Sequence, residues 1–252
     1  MSGRLAIVGL GPGPAEWMTP EAGAAIAAAT DVVGYGPYLE RLALGPGQRA
    51  HASDNRAELA RARLALTLAS ERRAVAVVSG GDPGVFAMAA AVFEALEEEA
   101  RWRALDVSVL PGVSAMQAAA ARLGAPLGHD FCAISLSDNL KPWSIVERRL
   151  KAAAEGDFVI ALYNPASKAR PARIVEAFDL LRSVKSAATP VAFARAVGRA
   201  EEELMVTTLG AADTGLVDMA TLVIVGSSET RLIPRDGGAP WMLTPRSYGA
   251  LR

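Results

Sequence analysis

Two short stretches hold residues whose types and spacing could do chemistry. "AIVGLGPGPAEWMTPEA" (6–22) interrupts an apolar run with three alternate glycines. "VVSGGDPGVFAM" (77–88) sets Gly80, Gly81, Asp82, Pro83 and Gly84 between an apolar run and a helical pattern. The first resembles a dinucleotide loop, which needs glycines at its first, third and sixth positions and a helix opening directly onto the pyrophosphate. Gly9 and Gly11 fit, but the sixth position is Pro14, and Pro12 and Pro14 remove N–H donors where a phosphate would need them. The helix signal comes later, with Thr19 as N-cap, Pro20 at the first helical position and Glu21 in the first turn. The loop therefore reads as a rigid, side-chain-poor rim at a strand end, not a pyrophosphate cradle.

The second loop is the more informative. Its glycines let backbone approach a ligand, and Asp82 can accept hydrogen bonds from ribose hydroxyls or an ammonium; the plainer alternative is that Asp82 caps the following helix. His129, beside Asp130, has the side chain best suited to proton transfer near neutral pH, against the reading of a loop histidine with only local hydrogen bonds. His51 stands in a polar loop and reads as surface. Cys132, beside Phe131 in an apolar stretch, reads as core and not as a nucleophile. Asp138, Asn139 and Lys141 make a polar loop that either touches substrate or is solvated. Tyr35 and Tyr38 either stack on a ligand or pack.

Composition narrows the function classes. In 252 residues, 51% of them hydrophobic, there is enough apolar surface for one large or two small domains. A formal net charge of −1 argues against a nucleic-acid surface built on phosphate neutralisation. One cysteine excludes an internal disulfide and a multi-cysteine zinc site, so no metal is expected. No apolar run approaches the roughly 20 residues that span a bilayer, and the start lacks a charged-then-apolar signal pattern. The expectation is a cytoplasmic protein with no membrane or nucleic-acid partner.

The elements that must position these residues alternate. Strands are expected at Arg4–Gly9, 74–81, 105–110, 131–135, 157–164, 189–196 and 221–226, with helices at Thr19–Ala29, 55–73, Val85–Glu98, 111–124, 142–155 and 170–183. Apolar, β-branched strands separated by helices favour an α/β fold with largely parallel sheets, and the alternating segment near 204–209 suggests some antiparallel pairing. A boundary near Pro111–Ser114 gives domains of 1–112 and 113–252. The Pro- and Gly-rich tail after Ser228 is expected to be irregular.

"VGLGPG", "GGDPGVFAM" and "PGVSAMQAAAARLGAPL" occur here in an order and spacing that resemble the tetrapyrrole (corrin/porphyrin) methylases, the class III S-adenosylmethionine-dependent methyltransferases. "VVGYGPYL" (32–39), "HDFCAISLSDNLKPW" (129–143), "ALYNPASKARP" (161–171) and "GSSET" (226–230) resemble the branch acting at C-17 of precorrin-3B. The likeness runs to about Arg231. It implies two α/β domains with the active site in the trough between them, a homodimer, a tetrapyrrole substrate, and S-adenosylmethionine as cofactor. Carried over by motif, the cofactor contacts are Pro12, Gly80, Gly81, Asp82, Val85, Ser114, Ala115, Asn164 and Val197. The glycine-proline loop then lines the site and binds no pyrophosphate.

One departure bears on mechanism. Uroporphyrinogen-type relatives carry an aspartate after the tyrosine of "VVYD", whereas this chain has Gly36 after Tyr35, which argues against a uroporphyrinogen III substrate. The branch implies methylation followed by ring contraction to precorrin-4, a rearrangement that must move protons; His129 or a tyrosine would serve. A polycarboxylate substrate asks for arginines, with Arg122, Arg195 and Arg199 as candidates. The alternatives are another family member, including an enzyme for the cobalt-containing substrate, or a non-catalytic S-adenosylmethionine- or tetrapyrrole-binding protein.

Overall fold

The structure, a computed structural model, describes residues 3–166 and 171–248. The chain divides into two compact units, Met1–Ala115 and Met116–Arg252.

The first unit contains β1 (Arg4–Gly9), α1 (Pro20–Ala28), β2 (Asp31–Tyr35), α2 (Gly36–Leu39), β3 (Arg49–Ser53), α3 (Glu58–Ser70), β4 (Ala74–Ser79), α4 (Met88–Glu98) and β5 (Asp106–Leu110). Its sheet has the order β3-β2-β4-β1-β5 and every pairing is parallel. Side chains alternate across a strand, so β1 feeds two cores at once. Leu5 and Ile7 join Val75, Val77, Leu66, Val92 and Trp102 beneath α3 and α4. Ala6 and Val8 join Val78, Ala22, Ile26 and Leu39 beneath α1 and α2. Covering both faces explains why β1 and β4 read as continuous apolar runs. Thr19 caps α1 as expected, its Oγ1 accepting the Ala22 N–H at 3.2 Å.

Two strands, β2 and β3, are additions to the expected set. β3 is the polar edge segment "RAHAS", with no apolar run to betray it. α4 starts at Met88 and not Val85, because Phe86 is held left-handed (φ 53°) and keeps the chain off the helical path.

α5 (Ala115–Leu123) begins on the last residue of the first unit. The second unit continues with β6 (Gly124–Ala125), β7 (Phe131–Ser135), α6 (Trp143–Glu155), β8 (Val159–Tyr163), α7 (Arg173–Val184), β9 (Pro190–Arg195), β10 (Glu203–Thr208), β11 (Thr221–Val225), β12 (Arg231–Ile233) and β13 (Trp241–Leu243). Its main sheet, β10-β9-β11-β8-β7, is mixed: β7 and β8 are parallel, while β11 runs against β8 and β9, and β10 against β9. Leu150, Phe178, Leu181, Leu162, Phe193 and Val223 pack one core beneath α6 and α7. The architecture is thus mixed α/β, with one parallel and one mixed five-stranded sheet.

The tail corrects an expectation. Beyond Ser228 the chain forms β12 and β13, which pair antiparallel and add β6 as a third, parallel strand. These strands are too short to show as a pattern, and β6 lies far away in sequence. Among the described residues, no helix is long and apolar enough to cross a membrane.

Candidate active site

In the first unit β1 and β4 are neighbours, yet β1 leads to α1 on one face and β4 to α4 on the other. Connections that diverge from adjacent parallel strands open a crevice outside their carboxyl ends, where α/β sheets bind ligands. Here the loops after β1, β4 and β5 meet. The Leu10 N–H donates to the Ser79 carbonyl at 2.9 Å and the Gly11 N–H to the Gly81 carbonyl at 3.1 Å. A Cβ on Gly9 would lie 2.7 Å from the Gly112 nitrogen, and one on Gly112 would lie 2.4 Å from the Gly81 oxygen. Neither position admits a side chain. Gly81 takes a left-handed φ of +72°, and a Cβ there would come no closer than 3.9 Å to Ala115 N and the Val113 oxygen. Arg41 secures the proline loop by donating from Nη2 to the carbonyls of Gly11 (3.1 Å) and Gly13 (2.7 Å).

Asp82 uses both carboxylate oxygens within this edge. Oδ1 accepts the Gly84 N–H at 2.8 Å and Oδ2 the Gly112 N–H at 3.0 Å. It does not cap α4, whose N-cap is Ala87 with no side-chain bond, so the capping alternative is corrected. A carboxylate has about four lone-pair positions, which leaves Asp82 able to accept from a ligand while it ties two loops together. Pro12, Gly80, Gly81, Asp82 and Val85 thus share one edge with Ser114, which is buried, and Ala115, which opens α5. The edge presents mostly backbone, glycine and small side chains. That surface suits the nucleoside and the amino-acid part of S-adenosylmethionine, and its donor set fits no pyrophosphate.

The second unit has its own carboxyl edge. Leu162 of β8 and Phe193 of β9 both lie opposite Val223 of β11, so β8 and β9 end at one level, about 10 Å apart across two strand spacings. Asn164 (φ 51°) and Ala196 (φ 48°), just beyond those ends, are both left-handed. Such strain in residues other than glycine is a frequent mark of functional loops. Asn164 donates from Nδ2 to Ser135 Oγ at 3.0 Å, and the Tyr163 hydroxyl accepts the Met116 N–H at 3.0 Å. Val197 is buried in the turn after β9, where Glu202 accepts the Gly198 N–H at 2.6 Å. Asn164 and Val197 therefore share this edge.

His129 does not join them. It precedes β7, whose five residues separate it from Ser135 by about 17 Å along the strand. Its Nε2 lies 2.7 Å from Ser227 Oγ and its ring 5.4 Å from that of Tyr248. Beside it, Asp157 accepts from Ser228 Oγ (2.6 Å) and Lys185 Nζ (3.1 Å). Burial pushes the Asp157 carboxyl up, but the Ser228 and Lys185 hydrogen bonds outweigh it and hold the group below the ordinary carboxylate range.

Other candidates are also placed. Of the suggested arginines, Arg122 pairs with Glu202 and Arg195 with Asp218, each at 2.9 Å, and Arg199 sits exposed in the turn after β9. His51 is half-buried, not a free surface group, and bonds the buried Asp31 at 2.8 Å. Cys132 is half-buried, and burial raises its thiol pKa, as suits a packed residue. Asp138 pairs with Arg173 at 2.8 Å and Lys141 donates to the Ser137 carbonyl at 3.1 Å. Tyr35 and Tyr38 pack edge to face at 5.4 Å, with Tyr38 lying over Gly80. Residues 167–170 of the "YNPASKAR" motif lie outside the described residues. Arg41, Arg61, Ser135 and Tyr163 were not singled out in the sequence; an arginine among many in an alanine- and arginine-rich chain carries no local signal.

Comparison with known proteins places these motifs in context. A sequence profile of the Tetrapyrrole (Corrin/Porphyrin) Methylases matches residues 4–213. The chain is 59% identical over 249 residues to a precorrin-3B C(17)-methyltransferase from Sinorhizobium sp, covering 98% of each sequence. It is 44% identical to a probable cobalt-factor III C(17)-methyltransferase from Salmonella typhimurium, covering 97% of this chain and 99% of that protein. The crystal structure of the methyltransferase CobJ superposes with a TM-score of 0.92 at 51% identity, covering 97% of this chain and 100% of that one.

Proposed function

The chain belongs to the tetrapyrrole (corrin/porphyrin) methylases and is a methyltransferase, and from that membership we propose that it methylates precorrin-3B at C-17, with ring contraction to precorrin-4. The observation that carries this reading is the near-full-length identity to the Sinorhizobium enzyme, together with the glycine loops that meet at one sheet edge. When bound, S-adenosylmethionine supplies an activated methyl group. The residues that the family resemblance assigns to hold it are Pro12, Gly80, Gly81, Asp82, Val85, Ser114, Ala115, Asn164 and Val197.

This chain's own residues have to orient and desolvate. Gly9, Gly81 and Gly112 let three backbones close without side chains, and Asp82 and Arg41 hold two of the loops in register. Positioning of this kind is worth up to ~7–11 kcal/mol in well-oriented reactions, enough for most of the acceleration. Ring contraction needs proton movement besides. Tyr163, whose hydroxyl stands at the carboxyl edge of β8, can hold a proton there; His129 would act from the other end of the sheet.

The Salmonella relative favours a second reading, the cobalt-containing substrate. Incubation with S-adenosylmethionine and each substrate, followed by mass spectrometry, decides between them. A gain of one methyl on precorrin-3B alone supports the first reading, and a gain on the cobalt form alone supports the second. No gain of methyl on either refutes both and leaves another tetrapyrrole as the substrate. We further propose a cytoplasmic homodimer, in line with the family resemblance; light scattering on the purified chain tests the dimer.

A further inference from the structure

Two basic side chains are fully buried among the described residues, and they are treated differently. Lys185 has Asp157 at 3.1 Å. Arg61, 5% exposed on the first turn of α3, has no carboxylate within ion-pair distance. Its Nε donates to Ser53 Oγ at 2.8 Å and its Nη2 to the Asp54 carbonyl at 2.8 Å, while Nη1 meets only the Met88 thioether sulfur at 3.2 Å. A guanidinium has five N–H donors, and a thioether is a weak acceptor. A buried cation whose hydrogen-bond partners are all neutral carries a desolvation penalty that no ion pair offsets.

The position of Arg61 matters as much as its lack of an ion-pair partner. Ser53 closes β3, Asp54 follows it, and Met88 opens α4, its N–H directed at Ser79 Oγ on the last residue of β4. Tyr35, the last residue of β2, pairs in register with Ser53, and its ring packs against that of Tyr38, which lies over Gly80. Glu58 acts on the guanidinium through space, without an ion pair. Arg61 thus stands at the carboxyl ends of β2, β3 and β4, beside the glycine loop. We propose that Arg61 is a carboxylate anchor of this edge, its fork completed by a carboxylate of a bound reactant. Two sources share that chemistry: the acidic side chains of the macrocycle, which rests on the reading given above, and the amino-acid carboxylate of S-adenosylmethionine. Arginine suits either, because its planar fork matches a carboxylate in two bonds.

Arg61→Met and Arg61→Lys test the anchor against a merely structural strut. Replacing an unpaired buried ion with an apolar side chain of similar length is often neutral or stabilising, so the Met variant should melt at or above the wild-type temperature. Two affinities are then read: the Kd for S-adenosylhomocysteine by calorimetry and the KM for precorrin-3B. A rise of at least tenfold in KM alone assigns the macrocycle's carboxylate, and such a rise in Kd assigns the cofactor's. In either case Arg61→Lys should recover only part of the loss, because it keeps the charge but not the two-bond fork. Unchanged Kd and KM, a loss that lysine does not lessen at all, or variants that fail to fold all overturn the anchor and leave a strut between β3 and α4. Failure of the wild type to methylate precorrin-3B would refute the substrate reading instead, and the S-adenosylhomocysteine measurement would still decide Arg61.

Discussion

The Asp82 carboxylate accepts the Gly112 N–H at 3.0 Å, joining the loop after β4 to the loop after β5, while its other oxygen holds Gly84 at 2.8 Å. One side chain thus ties two loops of the edge together, and the site proposed above sets it against the cofactor. An asparagine has a single acceptor oxygen and cannot make both bonds. Hydrogen bonds to charged groups are worth roughly 1.5–3 kcal/mol, so Asp82→Asn should lower Tm by roughly 3–12 °C. S-adenosylhomocysteine affinity should fall at least tenfold in the same variant. Calorimetry showing wild-type affinity in a destabilised variant would confine Asp82 to scaffolding.

Two glycines offer a paired comparison. A methyl on Gly112 would stand 2.4 Å from the Gly81 carbonyl oxygen, whereas one on Gly36 meets nothing within 4 Å. Gly112→Ala should therefore destabilise by about 1–3 kcal/mol, as overpacking does, and weaken cofactor binding. Gly36→Ala should leave Tm within about 1 °C. Thermal melts of the two variants check this, and equal behaviour would contradict the close approach of the loops.

His129 is bonded to Ser227 at 2.7 Å and lies at the amino end of β7. His129→Ala should lower stability by about 0.5–1.5 kcal/mol, the net worth of one hydrogen bond, because Ser227 Oγ keeps Thr230 Oγ1 and the Glu229 N–H at 3.3 Å, and leave methyl transfer in place. The informative readout is acetyl formation, followed by carbon NMR. Contracted product at the wild-type rate makes the histidine structural, while a methylated, uncontracted species assigns it the proton transfer.

Asp157 predicts the direction of acid sensitivity. Its folded pKa is depressed, so its contribution to stability is present above about pH 4 and lost as pH falls through the folded value. Asp157→Asn suits the left-handed backbone there (φ 56°) but cannot carry the charge. In urea titrations from pH 7 to pH 3, the wild type should be the more stable at neutral pH, and the difference should shrink below pH 4. A constant gap would show that the ion pair with Lys185 contributes nothing.

Local patterns determined a good part of this protein. Apolar β-branched runs marked β1, β4, β8 and β11, since strands covered on both faces carry no polar alternation. Thr19-Pro20 marked the start of α1, because capping is a matter of adjacent residues. The glycine-rich turns and their order pointed to the family. Other features existed only once the chain had folded. β3 and the β12-β13-β6 sheet depend on partners distant in sequence, and their own segments are too short or too polar to announce a strand. The two bonds of Asp82, the ring of Tyr38 over Gly80 and the pairing of Arg122 with Glu202 all join residues from separate elements. Burial likewise sets Arg61 apart: beside the exposed Arg63 on the same helix it is one more basic residue, and only the packing around α3 withdraws it from water without an ion-pair partner.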